Sequence, residues 1–338
     1  MNLKDNNLNL LRLIAAFMVL YAHAFAFYGN KNDTFLNLSS YGGLGISIFF
    51  IISGYLIVKS WDSDPVWHRF LLKRCLRIFP ALIVVVVLSA VIVGPIFSSL
   101  SFSEYFSHVL FKSYFLNIIL YPVFALPGVL ENARIPNAIN GSLWSLPIEF
   151  FMYLTVLFIG ITCKNSKWAY LTTTMAFIAI IIFWIKEDAE MVVVYGTDVR
   201  QYFLSGVYFI FGALFAKFKL NRYFSLSGTA FCFFIIIFLS SSSLIKPYFI
   251  MWFLIPYLVL SFGLSTSWLG SKINRIGDYS YGIYIYAFPV QQLYLLAYPD
   301  IGFYAYLIMT SLITILFSCI SWHFVEKKML LFKPNSSS

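Results

Sequence analysis

The chain has 338 residues, of which 60% are hydrophobic and only 11% charged, with a net charge of +9. A soluble domain covers itself with about a quarter charged residues, so this composition excludes an ordinary water-soluble globule and demands surface that faces lipid. The basic residues are scattered among short loops between apolar runs, a pattern that sets membrane topology and excludes a phosphate-tracking groove for nucleic acid.

A membrane span takes roughly 20 predominantly apolar residues. Ten segments qualify, at 8–28, 41–60, 78–98, 146–163, 168–185, 201–217, 227–245, 248–265, 279–298 and 302–324. The fold class expected is therefore an all-α integral membrane protein, a bundle of about ten transmembrane helices. Residues 1–330 read as one membrane domain and 331–338 as a short tail. The first run is long enough to span and lacks the small-residue cleavage site of a secretory signal. Cys75, Cys163, Cys232 and Cys319 lie far apart without metal-type spacing, so they read as packing residues, and no metal site is expected.

Orientation follows from the loops. With the N-terminus inside, 16 of the 23 Lys and Arg residues fall on inner segments, six fall on outer ones, and Arg12 lies within the first span. The bias points one way and places both termini in the cytoplasm of a multi-pass inner-membrane protein. The long connection 99–145 then faces outward. Glu104, His108, Lys112 and Asn117 interrupt its apolar start, so residues 101–121 are expected to form an interfacial or re-entrant helix, and the loop as a whole an ordered cap.

Ionisable groups inside spans are costly and point to function. Arg12 and His23 are 11 residues apart in the first span, which at 100° per residue returns them to within about 20° of one helix face, about 16 Å apart along the axis. In the second span Gly45, Phe49 and Ser53 share a face with Gly54 beside them, which suits a binding groove and tight helix packing alike. Lys73, Arg74 and Arg77 crowd the inner mouth of the third span. Arg74 and Arg77, three residues apart, make a fork suited to an anionic phosphate.

The segment Asn140-Gly-Ser-Leu-Trp-Ser-Leu-Pro-Ile-Glu-Phe150 is the most informative. Pro147 suits the first helical position, which puts Glu149 in the first turn, at a depth close to that of His23. A histidine–carboxylate pair is the minimal apparatus for deprotonating a hydroxyl. Later, Ser280, Tyr284 and Phe288 form one helical stripe, of a kind used most often for packing. Asp278 is placed to cap the ninth helix, and His323 with Glu326 reads as a solvated salt-bridged helix end.

Together these segments resemble the acyltransferase 3 family of membrane acyltransferases. The resemblance rests on Arg12 and His23 with ten residues between them, on Gly42-Gly43-x-Gly45 with Phe49-Phe50-x-x-Ser53-Gly54-Tyr55, and on Arg74-x-x-Arg77-Ile-Phe-Pro80. It also includes Gly141-Ser-Leu-Trp-Ser-x-x-x-Glu149, Ser280-Tyr-x-x-Tyr284 and Ser321 with Glu326, and runs in order along nearly the whole chain. Many members carry Trp-His where this chain has Tyr286-Ala287, and Pro where it has Lys328, so no role for a second histidine carries over.

The resemblance implies transfer of an acyl group, usually acetyl from acetyl-CoA, onto a hydroxyl of a cell-surface glycan. No cofactor is expected to stay permanently bound. Some relatives carry a further hydrolase-like domain; this sequence is expected to act alone or with a separate partner. His23, Glu149 and Arg12 are the expected catalytic residues, Arg74, Arg77 and Lys73 the donor-binding ones, and Ser142, Trp144 and Tyr284 the acceptor contacts. The rival readings are a transporter or flippase, for which paired broken helices are missing, and a glycan polymerase, for which the outer loop has few charges.

Overall fold

A computed structural model of the chain describes residues 6–29, 34–187, 190–240 and 247–334. The charges of Lys4, Lys31, Lys186, Glu187, Asp188 and Lys246 and the terminal Ser336–Ser338 lie outside the described residues and side chains. The architecture is all-α. Its helices are α1 (Leu8–Phe27), α2 (Tyr41–Ser63), α3 (Trp67–Leu88), α4 (Ser145–Thr162), α5 (Lys167–Glu187), α6 (Val199–Lys217), α7 (Leu226–Ser240), α8 (Pro247–Leu264), the short α9 (Trp268–Ile276), α10 (Ser280–Ala297) and α11 (Phe303–Ser321). Strand structure among the described residues is confined to two short antiparallel hairpins.

Eight helical stretches among the described residues are long and apolar enough to cross a membrane. The protein is a multi-pass membrane protein, and each of the ten expected spans falls on a helix. α10 differs from the others in kind. Every residue from Ser280 to Pro289 is buried, so this helix is surrounded by protein rather than lipid and can carry polar side chains on several faces.

Small residues set the packing of α2. A Cβ at Gly45 would press on the Ala15 carbonyl of α1, while Gly54 abuts the backbone at Phe209 and Gly212 that at Ile51, so α2 and α6 touch backbone to backbone. The Gly45–Phe49–Ser53 face thus serves both of the uses it suits. Gly45 packs α1, and Phe49 and Ser53 turn towards a cavity.

Residues 102–119 do not cross the bundle. His108 ends one short helix (Phe102–Ser107) in extended geometry and its Nδ1 caps the next (Val109–Tyr114), after which a 3-10 turn runs to Ile119. The Asn117 side chain then ties Tyr114 and Val123 together, which orders the cap. The cap is fixed to α10 by a defect in that helix. Pro289 has no N–H for the Ile285 carbonyl, and Asn140 Nδ2 takes that position at 2.8 Å while its Oδ1 caps Ser142.

Two expectations about helix ends are corrected. A 3-10 turn over Gly141–Trp144 leads directly into α4 at Ser145, so Pro147 is its third residue and Glu149 its fifth, in the second turn rather than the first. After α11 the chain continues through a π-helical turn at Trp322–Glu326 to Leu330. That wider turn rotates Glu326 inwards, where it is buried and accepts from Ser321 Oγ at 2.9 Å, while His323 meets the Tyr279 hydroxyl instead. The solvated His323–Glu326 pair does not form.

Candidate active site

A cavity of about 400 Å³ opens where α1, α2, α3, α4 and α10 meet the Lys327–Leu330 turn. Five cations line it, Arg12, Lys73, Arg74, Arg77 and Lys333, against two carboxylates, Glu149 and Asp278. We call this the basic end of the bundle, and the opposite end the cap end.

The charges are organised by Asp278. Its Oδ2 lies 2.6 Å from Arg77 Nη2 and 3.3 Å from Arg12 Nη1, while its Oδ1 accepts from Ser280 Oγ at the start of α10. Burial raises the Asp278 carboxyl, but the two guanidiniums outweigh it and hold the group well below the usual carboxylate range. One residue thus fixes three helices. Lys73 donates to Asp64 at 2.8 Å, where Arg69 also bonds. Lys73, its hydrogen bonds and those of Arg69 together hold the Asp64 carboxyl low.

Arg74 is different. It has no carboxylate partner among the described residues; Nη2 reaches Ser60 Oγ at 3.3 Å, Nε is buried without a partner, and the guanidinium lies 5.7 Å from the Phe70 ring and 6.0 Å from that of Tyr153. A planar fork held by aromatic faces, with donors unspent, is suited to an oxyanion. Glu149 lies on the same wall, where one of its oxygens accepts from Tyr153 (2.5 Å) and Ser53 (2.9 Å).

The expected His23–Glu149 pair is therefore not made. Glu149 lies in the second turn of α4 because its helix starts two residues earlier, and its hydrogen bonds go to α2 and to its own next turn. His23 lies at the cap end of α1 with its ring 5.1 Å from Phe288 and 6.4 Å from Phe27, and it makes no hydrogen bond among the described residues. The α10 stripe joins the two places. Ser280 and Tyr284 line the cavity, and Phe288, one turn beyond Tyr284, meets His23.

The sequence matches the acyltransferase domain model of the acyltransferase 3 family over residues 5–323. The chain belongs to the acyltransferase 3 family. An O-acetyl transferase of Shigella phage Sf6 is 32% identical over 97% of this chain and 96% of its own length. Nodulation protein 10 of Rhizobium leguminosarum bv. viciae is 42% identical over 23% of this chain and 22% of its own length. No solved structure matches. The protein is a membrane-embedded O-acyltransferase.

Within this acyltransferase, Arg12, Lys73, Arg74, Arg77, Glu149 and Tyr284 share one cavity, and His23 lies outside its lining, against Phe288. The Tyr284 hydroxyl meets Ser145 Oγ at 2.6 Å and donates to the Ser142 carbonyl at 3.0 Å, so it holds the start of α4 against α10. Ser142 is buried with its own hydroxyl unpartnered, whereas Trp144 packs into the apolar core away from the cavity. Two cavity residues escaped the sequence reading, Asp278 as the shared counter-ion and Lys333. The first reads as a helix cap and the second as a tail charge; only the tertiary fold brings either to Arg77.

Proposed function

We propose that this acyltransferase takes acetyl-CoA at the basic end, on the cytoplasmic side of the inner membrane, and delivers acetyl to a hydroxyl of an envelope glycan at the cap end. The observation that carries this reading is the cavity itself. Five cations facing two carboxylates suit the phosphates of coenzyme A, and the loop charges favour a cytoplasmic location for this end. Arg74 receives a phosphate directly. Arg77 and Arg12, already balanced by Asp278, hold the rim in place, and Lys73 and Lys333 supply further charge.

The pantetheine arm lies along Phe49, Ser53 and Tyr284, and the thioester reaches His23 past the Phe288 turn. There His23 Nε2 takes the proton of the acceptor hydroxyl, whose oxygen attacks the thioester carbonyl. The C–S bond breaks, and the sulfur leaves with the proton held on the imidazole. Glu149 has no part in orienting His23. It anchors Tyr153 and Ser53 on the donor wall. The relative's printed activity, O-acetyl transfer, supports acetyl as the group moved.

The test uses membrane vesicles of both orientations given labelled acetyl-CoA. Vesicles that expose the basic end should move label into glycan, and vesicles that expose the cap end should not. Label consumed only from the cap side, or from neither side, overturns the proposal.

A further inference from the structure

A histidine that works as a base from one ring nitrogen needs its other nitrogen held, because the partner of the second nitrogen fixes the tautomer and the ring orientation. Glu149 does not fill that role, and among the described residues no other hydrogen-bonds His23. Only Nδ1 of the ring is fully buried, so Nε2 is the nitrogen that keeps access to a substrate.

A matching group stands on the facing helix. Gln291 is completely buried in α10, and its Nε2 donates to the Leu20 carbonyl of α1 at 2.9 Å. Only the amide NH₂ can face a carbonyl, so the orientation is fixed and Oε1 occupies the other lobe. That Oε1 is buried with no hydrogen bond. Leu20 and His23 are three residues apart on α1, and Phe288 and Gln291 three apart on α10, so each pair shares a helix face. The Phe288 ring touches His23 while Gln291 touches Leu20, so both orphaned atoms belong to the same contact between α1 and α10.

One is a nitrogen that can carry a proton, and the other is an oxygen that can accept one. Each is costly to bury unpaired where no water can reach.

We propose that Gln291 is the positioning residue for His23: its Oε1 accepts from Nδ1–H when the imidazole turns towards the acceptor, which keeps the lone pair on Nε2. This rests on the general-base reading of His23. The Tyr306 hydroxyl, which donates to the Gln291 backbone carbonyl at 3.2 Å, steadies the same turn of α10. The cation shown nearby, Arg134, donates to the Phe27 carbonyl at 3.1 Å and lies over the Tyr28 ring, so a neutral amide needs no counter-charge that is not already committed.

The test compares two substitutions of the full-length protein in membranes. Gln291→Met keeps the shape and loses the acceptor; Gln291→Glu keeps an acceptor oxygen. Both lose the donor to Leu20, so that contact cancels in the comparison. Gln291→Met should lower kcat about 10- to 100-fold, as loss of an orienting partner does, with donor KM unchanged. Gln291→Glu should recover most of that loss.

The protein has four histidines, so ¹⁵N-histidine labelling with a His23→Ala reference assigns the His23 signal. The wild type should show the Nδ1–H tautomer, and Gln291→Met a mixture. A wild-type ring protonated on Nε2, or equal losses in both variants with an unchanged tautomer, overturns the inference, and the wild-type spectrum decides even if a variant fails to accumulate. If His23→Ala itself retains full transfer, it is the general-base reading that fails.

Discussion

The two ends of the bundle treat polar groups in opposite ways. At the basic end charge is matched to charge. Asp278 serves Arg77 and Arg12, Asp64 serves Lys73 and Arg69, and Asp62 serves Lys217. At the cap end the buried neutral groups His23 Nδ1, Ser142 Oγ and Gln291 Oε1 have no partner among the described residues. A polyanionic ligand entering the first end must compete with ion pairs already made, so affinity there rests on Arg74, the cavity arginine without a carboxylate partner among the described residues. A hydroxyl-bearing ligand entering the second end meets neutral groups instead, with Nε2 of His23 the ring nitrogen that keeps access. The difference fits a donor site built for charge and an acceptor site built for hydroxyls.

The comparison predicts its largest effect at the cap end. His23→Ala should reduce acetyl transfer by about 10²- to 10⁴-fold, the usual worth of a positioned base, with normal protein abundance and unchanged donor binding. Full acetylation of surface glycan in cells carrying His23→Ala would remove the cap end from the chemistry altogether. Next comes the counter-ion. Asp278→Asn leaves two arginines facing each other without a carboxylate and should cost on the order of 3 kcal/mol. It would be read as a lower melting temperature of the detergent-solubilised protein. Arg77→Gln placed on top of Asp278→Asn should restore part of that loss; simple additivity would show that the ion pair is not coupled in solution.

Much of this was legible in the residues, and the failures have a common cause. Hydropathy alone places ten helices, because in lipid every backbone group must be satisfied within its own segment, and the intramembrane Arg12 and His23 announce themselves by their cost. Glu149 was recognised as important but given the wrong neighbour. The chain is already helical ahead of Pro147, with a 3-10 turn of four residues leading into α4, so Glu149 falls in the second turn, and propensity does not resolve such a turn from a loop. Glu326 was misread because the π-helical turn that buries it has no sequence signature. Gln291, in a run of aromatic and aliphatic residues, could have been flagged by the same cost argument that found His23.

A smaller effect separates Arg74 from its paired neighbours. Arg74→Gln should raise the KM for acetyl-CoA about tenfold, the worth of one charge-assisted hydrogen bond, and leave kcat in place. Lys73→Gln should do less, since its ammonium is committed to Asp64. Equal effects at both positions would mean that the ion pairs at this end open when donor binds.

The finest test uses Lys333, an exposed side chain at the rim of the cavity. Burial of its stem, then the nearby Arg77, Arg74, Arg12 and Lys73, lower its pKa from the usual lysine range to about 8. The group is therefore charged at pH 7 and increasingly neutral by pH 9. A bound phosphate favours the charged form, so donor affinity should be highest below pH 8 and fall as the pH rises through it. At the rim the charge is worth little, about two- to threefold in KM. Lys333→Gln should show that raised KM already at pH 7 and no further rise to pH 9, whereas Arg74→Gln should keep a pH dependence on its own higher baseline, moved to higher pH because one of the charges that lower Lys333 is gone. A wild-type KM that stays flat from pH 7 to 9 would mean that Lys333 does not meet the donor, and the positive rim would then be left with membrane orientation as its role.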